Sequence, residues 1–203
     1  AELTNTVIVN TCSVTAEAVR QYRQIIRRLK KKNPKNTVLV TGCAAQINPE
    51  IFTAMPEVNC VIGNEEKLKP ESYNLIQERD QVRVSDIMKA GPIPFNQNLT
   101  EFETRTRAYI QVQQGCNHRC SFCIIPFGRG NSRSIPTDLL IKQVQNFTNN
   151  GYKELVLTGV DISSYGSDLT GKPGLGNLVR DLLSQVPNLE RLRLSSLDPA
   201  VFD

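Results

Sequence analysis

At 203 residues the chain is long enough to bury a substantial core in one large domain or two small ones. Its 39% hydrophobic and 22% charged residues are those of an ordinary globular protein, and no run approaches the roughly 18 apolar residues a membrane-spanning helix requires. The net charge of +4 excludes little, but eight Lys/Arg fall between residues 20 and 35 with Glu17 the only acid close by, a basic face that suits either nucleic acid or plain solvent.

The opening, AELTNTVIVNTC, has no basic n-region, no long apolar h-region and no initiator Met, and the last residues, SSLDPAVFD, stop abruptly. The expectation is a fragment cut at both ends. Six cysteines without a secretory signal point to a reducing cytoplasm, where clustered cysteines serve as metal or redox ligands more often than as disulfides.

In chain order, NTVIVNTC predicts a short buried strand over residues 6–10. Thr15 caps a following helix, with Glu17 in its first turn. Val19, Tyr22, Ile25, Ile26 and Leu29 recur at helical spacing, Arg20, Arg23, Arg27, Lys30 and Lys31 fall largely opposite, and Asn33-Pro34 stops the helix. TVLVTGC predicts a second strand over 37–41. NPEIFTAM reads as a short helix with Asn48 as cap and Pro49 at the first helical position. VNCVIG gives a third strand, 59–62. This alternation predicts a small Rossmann-like parallel α/β domain. Residues 65–84 are charged and helical in part, and 89–104 read as a linker.

A second series starts at RAYIQVQQGC, with a strand over 108–113. IPTDLLIKQVQNFTNNG gives a helix capped by Thr137, favoured by Asp138, striped by Leu140, Val144 and Phe147 and ended by Gly151. The strand KELVLTG, the Gly-rich loop SSYGSDLTGKPGLG, a helix with Leu178, Val179, Leu182, Leu183 and Val186, and the strand NLERLRLSS follow. Strands roughly 40 residues apart and joined by helices have the rhythm of a (β/α) barrel or a doubly wound sheet. Three strands close no barrel, so the remainder is expected beyond Asp203. The organisation is then 1–88 as N-terminal domain, 89–104 as linker and 105–203 as the first half of a partial barrel.

Cys12 and Cys43 each lie just past the C-terminal end of a predicted parallel strand, where open α/β sheets bind ligands, so they can converge although 31 residues apart. Cys60 lies inside its strand and reads as a buried, inert thiol.

Three more cysteines fall within eight residues, in GCNHRCSFC, spaced C-x3-C-x2-C. Structural zinc wants four N/S ligands, usually in two pairs, and the only histidine, His118, sits cramped between Cys116 and Cys120. His118 therefore reads as a neighbour of the site or a solvent-facing group. A disulfide leaves one thiol over. The remaining chemistry is a 4Fe–4S cluster on three cysteines, whose fourth iron keeps an open position.

CNHRCSFC, with Phe122 as the aromatic of C-x3-C-x-aromatic-C, resembles the signature of radical S-adenosylmethionine (SAM) enzymes. GCNHRCSFCIIPFGRGNSRS, NTCSVT and GCAAQ narrow the resemblance to the methylthiotransferases, over nearly the whole chain. The resemblance implies a partial radical SAM barrel in which Cys116, Cys120 and Cys123 hold a cluster whose unique iron chelates the amino and carboxylate groups of SAM. One electron then cleaves the sulfonium to a 5′-deoxyadenosyl radical. It implies a second 4Fe–4S cluster on three N-terminal cysteines, two of them Cys12 and Cys43. The third is expected upstream in a Gly-Cys motif absent here. Later barrel strands and a C-terminal RNA-binding β-domain are likewise absent.

The resemblance further implies cofactor contacts from Phe122, from the strand-end turn Thr158, Gly159, Val160 and Asp161, and from Ser195, with Ser196 beside it. The turn departs from the usual Gly-Gly-Glu-like sequence. Arg129 and Arg133 are placed to hold an RNA phosphate or the SAM carboxylate. TGVDISSYGSDL and FGRGNSRS look most like the branch that converts N6-threonylcarbamoyladenosine, next to the tRNA anticodon, to its 2-methylthio derivative. One SAM would donate a methyl to a sulfur on the second cluster, and another would yield the radical that activates adenine C2. The implied partners are tRNA and a flavodoxin- or ferredoxin-type electron donor, with no membrane. Other readings are action on isopentenyladenosine or on a ribosomal-protein aspartate, another radical SAM chemistry, or a non-catalytic iron–sulfur or zinc module that binds RNA. The 203 residues alone are expected to be inactive.

Overall fold

A computed structural model describes residues 5–73, 81–95 and 106–198. They belong to two compact units, one of residues 1–90 with 118–130, the other of 91–117 with 131–203.

The first unit is built on a four-stranded parallel sheet in the order β1-β2-β3-β4, formed by β1 (Thr6–Thr11), β2 (Thr37–Gly42), β3 (Cys60–Ile62) and β4 (Gln81–Arg83). Between β1 and β2 runs α1 (Ala16–Lys32), and α2 (Cys43–Ile47) and α3 (Glu50–Thr53) lead to β3. The helix α4 (Ile125–Arg129) comes from the second segment. The Thr15 hydroxyl accepts from the Ala18 N–H at 3.1 Å, and the Asn33 N–H closes α1 on the Leu29 carbonyl. The Glu17 carboxylate is held down to a pKa of about 2 by hydrogen bonds from Arg20 and Gln21. Val19, Tyr22, Ile26 and Leu29 pack on Val38, Val40, Ala45, Phe52 and Val61. Full burial of side chains such as Ile26 and Phe52 contributes about 1.5–3 kcal/mol each. Leu39, Cys60 and Ile62 form a small core of their own.

Four details differ from the sequence expectation. Ile25 is exposed, because the rotation of one residue carries it off the stripe that Ile26 occupies. Asn48 ends α2 rather than capping α3, and Pro49 holds the cap position of α3. The five-residue α2 and the strand β4 had no periodic signal. Residues 65–84 carry two short 3-10 turns, Glu66–Leu68 and Pro70–Tyr73, before β4, with 74–80 outside the described residues. Residues 96–105 of the expected linker also lie outside them.

The second unit holds a parallel sheet in the order β5-β8-β9, made of β5 (Arg107–Gln111), β8 (Glu154–Thr158) and β9 (Arg191–Leu194). A short antiparallel pair joins β6 (Gln113–Gln114) to β7 (Arg133–Ser134). Helices α5 (Thr137–Asn149) and α6 (Leu175–Gln185) supply Leu140, Val144, Phe147, Leu178 and Leu182 to a core completed by Ala108, Ile110, Leu155 and Leu157. On the other sheet face the register aligns Arg107, Glu154 and Arg191. Glu154 receives Arg107 at 2.6 Å, Arg191 at 2.9 Å and Arg193 at 2.6 Å. Thr137 does not cap α5: Pro136 holds that position, Thr137 is the first helical residue and its hydroxyl pairs with that of Tyr165 at 3.2 Å. The unit is a partial parallel α/β arrangement, as the strand rhythm predicts, in the same chain as the Rossmann-like first unit. Among the described residues no helix is long and apolar enough to cross a membrane.

Candidate metal centres

In the first unit the parallel register places Thr11 opposite Gly42, so Cys12 and Cys43 leave neighbouring strand ends together. Adjacent strands run about 4.8 Å apart, within the span of one cluster's ligands. The backbone is fitted to this spot. Gly42 sits at φ +98°, where a Cβ would lie 2.2 Å from the Thr11 carbonyl oxygen. The Thr11 hydroxyl donates to the Thr41 carbonyl at 2.6 Å and accepts from the Ala45 N–H at 3.2 Å, which starts α2 with Cys43 as its first residue. The Cys12 sulfur accepts from the Val14 N–H at 3.5 Å.

Asn64 is fully buried beside Cys43. Its Nδ2 donates to the Gly128 carbonyl at 2.6 Å and to the Cys43 sulfur at 3.7 Å, and its N–H donates to the buried Gln46 side chain at 2.8 Å. Gly128 on α4 is so close that a Cβ would lie 3.0 Å from the Cys43 Cβ and 3.3 Å from its sulfur. Burial and the Arg129 guanidinium push the nearby Lys67 ammonium down, against an opposite pull from Cys43. Cys60 is 2% exposed in the middle of the sheet, and burial pushes its thiol up.

The cysteine loop begins in the second unit. Gln113 is fully buried and uses all of its amide: Nε2 donates to the Gly115 carbonyl at 2.7 Å and the Ser132 hydroxyl at 2.9 Å, while Oε1 accepts from the Val160 and Asp161 N–H groups at 3.0 and 2.9 Å. Gly159 permits the approach, since a Cβ there would lie 3.0 Å from Gln113 Oε1. Cys116 and Asp161 meet at 3.7 Å, and the Asp161 carboxylate also accepts from Ser164 at 2.6 Å. Asn117 Oδ1 accepts from the Ser132 N–H at 2.9 Å.

Thr158, Gly159, Val160, Asp161 and Ser195 gather at the C-terminal ends of β8 and β9, the end at which β5 leads towards Cys116. The Thr158 hydroxyl donates to the Ile110 carbonyl. The Ser195 N–H extends the ladder to Leu157 O at 2.9 Å, and its buried hydroxyl oxygen has no hydrogen-bond partner among the described residues. Arg133 donates to the Gly91 carbonyl at 2.8 Å.

In the first unit, the Cys123 N–H donates to the Cys120 carbonyl at 3.0 Å, a tight turn that leads into α4. Phe122 is 89% exposed and His118 is exposed, while Arg129 ends α4 half-buried. None of the six cysteines is in a disulfide. Soft cysteine thiolates suit iron–sulfur or zinc rather than hard cations, so the cysteines fit the implied clusters. Sequence reasoning missed Gln113, Asn64 and Ser132: single amides and hydroxyls carry no spacing signal, and only their partners reveal them.

Comparisons with known proteins divide the chain into two stretches. Residues 110–195 match the radical SAM superfamily, and residues 1–63 match an uncharacterized protein family, UPF0004. A Rickettsia prowazekii protein named threonylcarbamoyladenosine tRNA methylthiotransferase MtaB is 47% identical over 99% of this chain and 47% of its own length. The Bacillus subtilis protein of the same name is 39% identical over 94% of this chain and 43% of its own. A Thermodesulfovibrio yellowstonii protein named tRNA-2-methylthio-N(6)-dimethylallyladenosine synthase is 30% identical, over 95% and 44%. The chain thus spans about half the length of the curated relatives it matches. Among solved structures, the Kitasatospora setae radical SAM methyltransferase TsrM, with cobalamin and a [4Fe-4S] cluster bound, aligns with a TM-score of 0.60 at 17% identity over 98% of this chain and 45% of that one, a likeness of fold.

Proposed function

This chain belongs to the radical SAM methylthiotransferase family, and from that premise we propose that the protein carrying it converts N6-threonylcarbamoyladenosine, next to the tRNA anticodon, to its 2-methylthio derivative, using SAM and two 4Fe–4S clusters. Residues 1–88 act as the domain of the second cluster and 105–203 as the start of the catalytic barrel.

The observation that carries the two-cluster reading is the register of Thr11 with Gly42, which presents Cys12 and Cys43 side by side. The substrate is supported by the relatives at 47% and 39% identity, both named for threonylcarbamoyladenosine.

Cys116, Cys120 and Cys123 would hold one cluster, Cys12 and Cys43 part of another. Bound on three cysteines, a 4Fe–4S cluster supplies a low-potential electron and an open iron position for SAM. The chain's own residues hold and orient. The Val160–Asp161 turn and Ser195 meet SAM at the strand ends, where (β/α) barrels collect their functional groups. Phe122 covers the cofactor, and Arg129 and Arg133 supply charge for the SAM carboxylate or an RNA phosphate. Phosphates are also held by the basic face of α1, which reads no sequence. A flavodoxin- or ferredoxin-type donor in the cytoplasm provides electrons.

Anaerobic reconstitution of the full-length protein tests this reading. It should yield about eight iron atoms per chain and SAM cleavage on reduction. Colourless protein with one zinc would sink the enzyme in favour of an RNA-binding module. Mass spectrometry of tRNA from a strain lacking the gene decides the branch: the 2-methylthio derivative of threonylcarbamoyladenosine should vanish, and its persistence contradicts the assignment.

A further inference from the structure

We propose that Gln113 is a positioning residue for SAM: its amide ties the Val160–Asp161 turn to the mouth of the Cys116 loop and so sets how tightly the two together hold the cofactor. This rests on the radical SAM reading of that loop given above.

The Val160 and Asp161 N–H groups lie past the end of β8, where the parallel ladder no longer pairs them. Both converge on Gln113 Oε1, at 3.0 and 2.9 Å. The other end of the amide takes the carbonyl of Gly115, the residue immediately before Cys116, and the Ser132 hydroxyl. One planar group therefore fixes the distance from the turn to the cysteine loop. Its outcome is the 3.7 Å approach of the Cys116 sulfur to the Asp161 carboxylate. A carboxamide is suited to this: it carries two donors and a two-lone-pair acceptor, and all four capacities of Gln113 are used in a fully buried site. A buried network satisfied to this degree rigidifies what it joins. Gly159, between the ladder and the turn, is needed for the same approach.

The test uses the full-length protein, reconstituted anaerobically. Q113M keeps the volume and removes every hydrogen bond of the amide. Q113E keeps the acceptor and, as a neutral acid, one donor. Iron content, SAM affinity by equilibrium dialysis and the electron paramagnetic resonance spectrum of the reduced cluster with and without SAM are measured. Q113M should retain the iron of the unaltered protein but bind SAM about tenfold or more weakly, with the SAM-induced spectral change diminished. Q113E should recover part of both. SAM affinity within about twofold of the unaltered protein, or a loss that tracks iron content, overturns the role. If Q113M does not fold, S132A removes one partner of Nε2 and G159A places a methyl 3.0 Å from Oε1. Each should weaken SAM binding with iron intact, and unchanged affinity in both overturns the role. Failure of the unaltered protein to take up iron or bind SAM overturns the function proposed above and this role with it. A normal control with unaffected variants overturns this role alone.

Discussion

Gly42 and Thr11 face each other across β1 and β2 with no room for a side chain between them: a Cβ at position 42 would lie 2.2 Å from the Thr11 carbonyl oxygen. The left-handed φ of +98° adds a conformational penalty to the clash. G42A should therefore destabilise the first unit by about 2 kcal/mol or more, read from urea unfolding. Because Cys43 follows directly, the variant should also lose iron first from the cluster proposed at Cys12 and Cys43.

The six thiols should separate by iron count. If the proposed second cluster is held by Cys12 and Cys43, C12A and C43A should each lower bound iron by about half, from about eight towards four atoms. C60A should leave it unchanged, since Cys60 is sealed in the sheet. In the iron-free protein Cys120 should react quickly with an alkylating reagent and Cys60 not at all under native conditions. Loss of iron in C60A would mean that the third ligand has been misplaced.

Asn64 donates to the sulfur of Cys43, and were Cys43 a ligand of the proposed second cluster, that hydrogen bond would raise the cluster's potential. N64A should lower the potential of the second cluster in a redox titration and leave the other unchanged. It also strands the Gly128 carbonyl, which costs about 1–3 kcal/mol.

Glu154 binds three guanidinium groups. Burial pushes its carboxyl up, but Arg191, Arg107 and Arg193 outweigh this and hold it below its ordinary value of 4.5. A depressed folded pKa means that the stabilisation is complete above the unfolded value and is lost as pH falls through the folded one. E154Q should thus be less stable than the unaltered protein near neutral pH, with the gap closing as the pH drops below the ordinary carboxylate range. Urea midpoints across that range measure it, and a gap that stays constant with pH would remove the charge network as its cause.

The sequence revealed those parts of the fold that repeat. The apolar runs of β1 and β2, the stripe and caps of α1 and the strand–helix alternation of the second unit are periodic signals, and the structure places them within a residue or two. Elements whose cause is tertiary were hidden. Helix α2 is too short for periodicity and begins on a hydroxyl contributed by Thr11. Strand β4, Gln81–Arg83, is a polar three-residue edge whose valine is exposed. Thr137 has the chemistry of a cap, yet its hydroxyl is taken by Tyr165. The radical SAM resemblance could be read because the spacing of Cys116, Cys120 and Cys123 is itself a motif, and residues 110–195 match that superfamily. Gln113 could not, because in the alternating stretch YIQVQQ it looks like any solvent-facing residue of a strand.

The close packing of Gly128 on Cys43 has a consequence for tolerance to change. Gly128 stands only five residues after Cys123, so one short stretch of chain answers to both sets of thiols at once. A side chain at 128 would press on the Cys43 sulfur, and a shift of α4 to relieve it would pull on Cys123. A substitution at 128 should therefore disturb the packing around Cys43 and the start of α4 together.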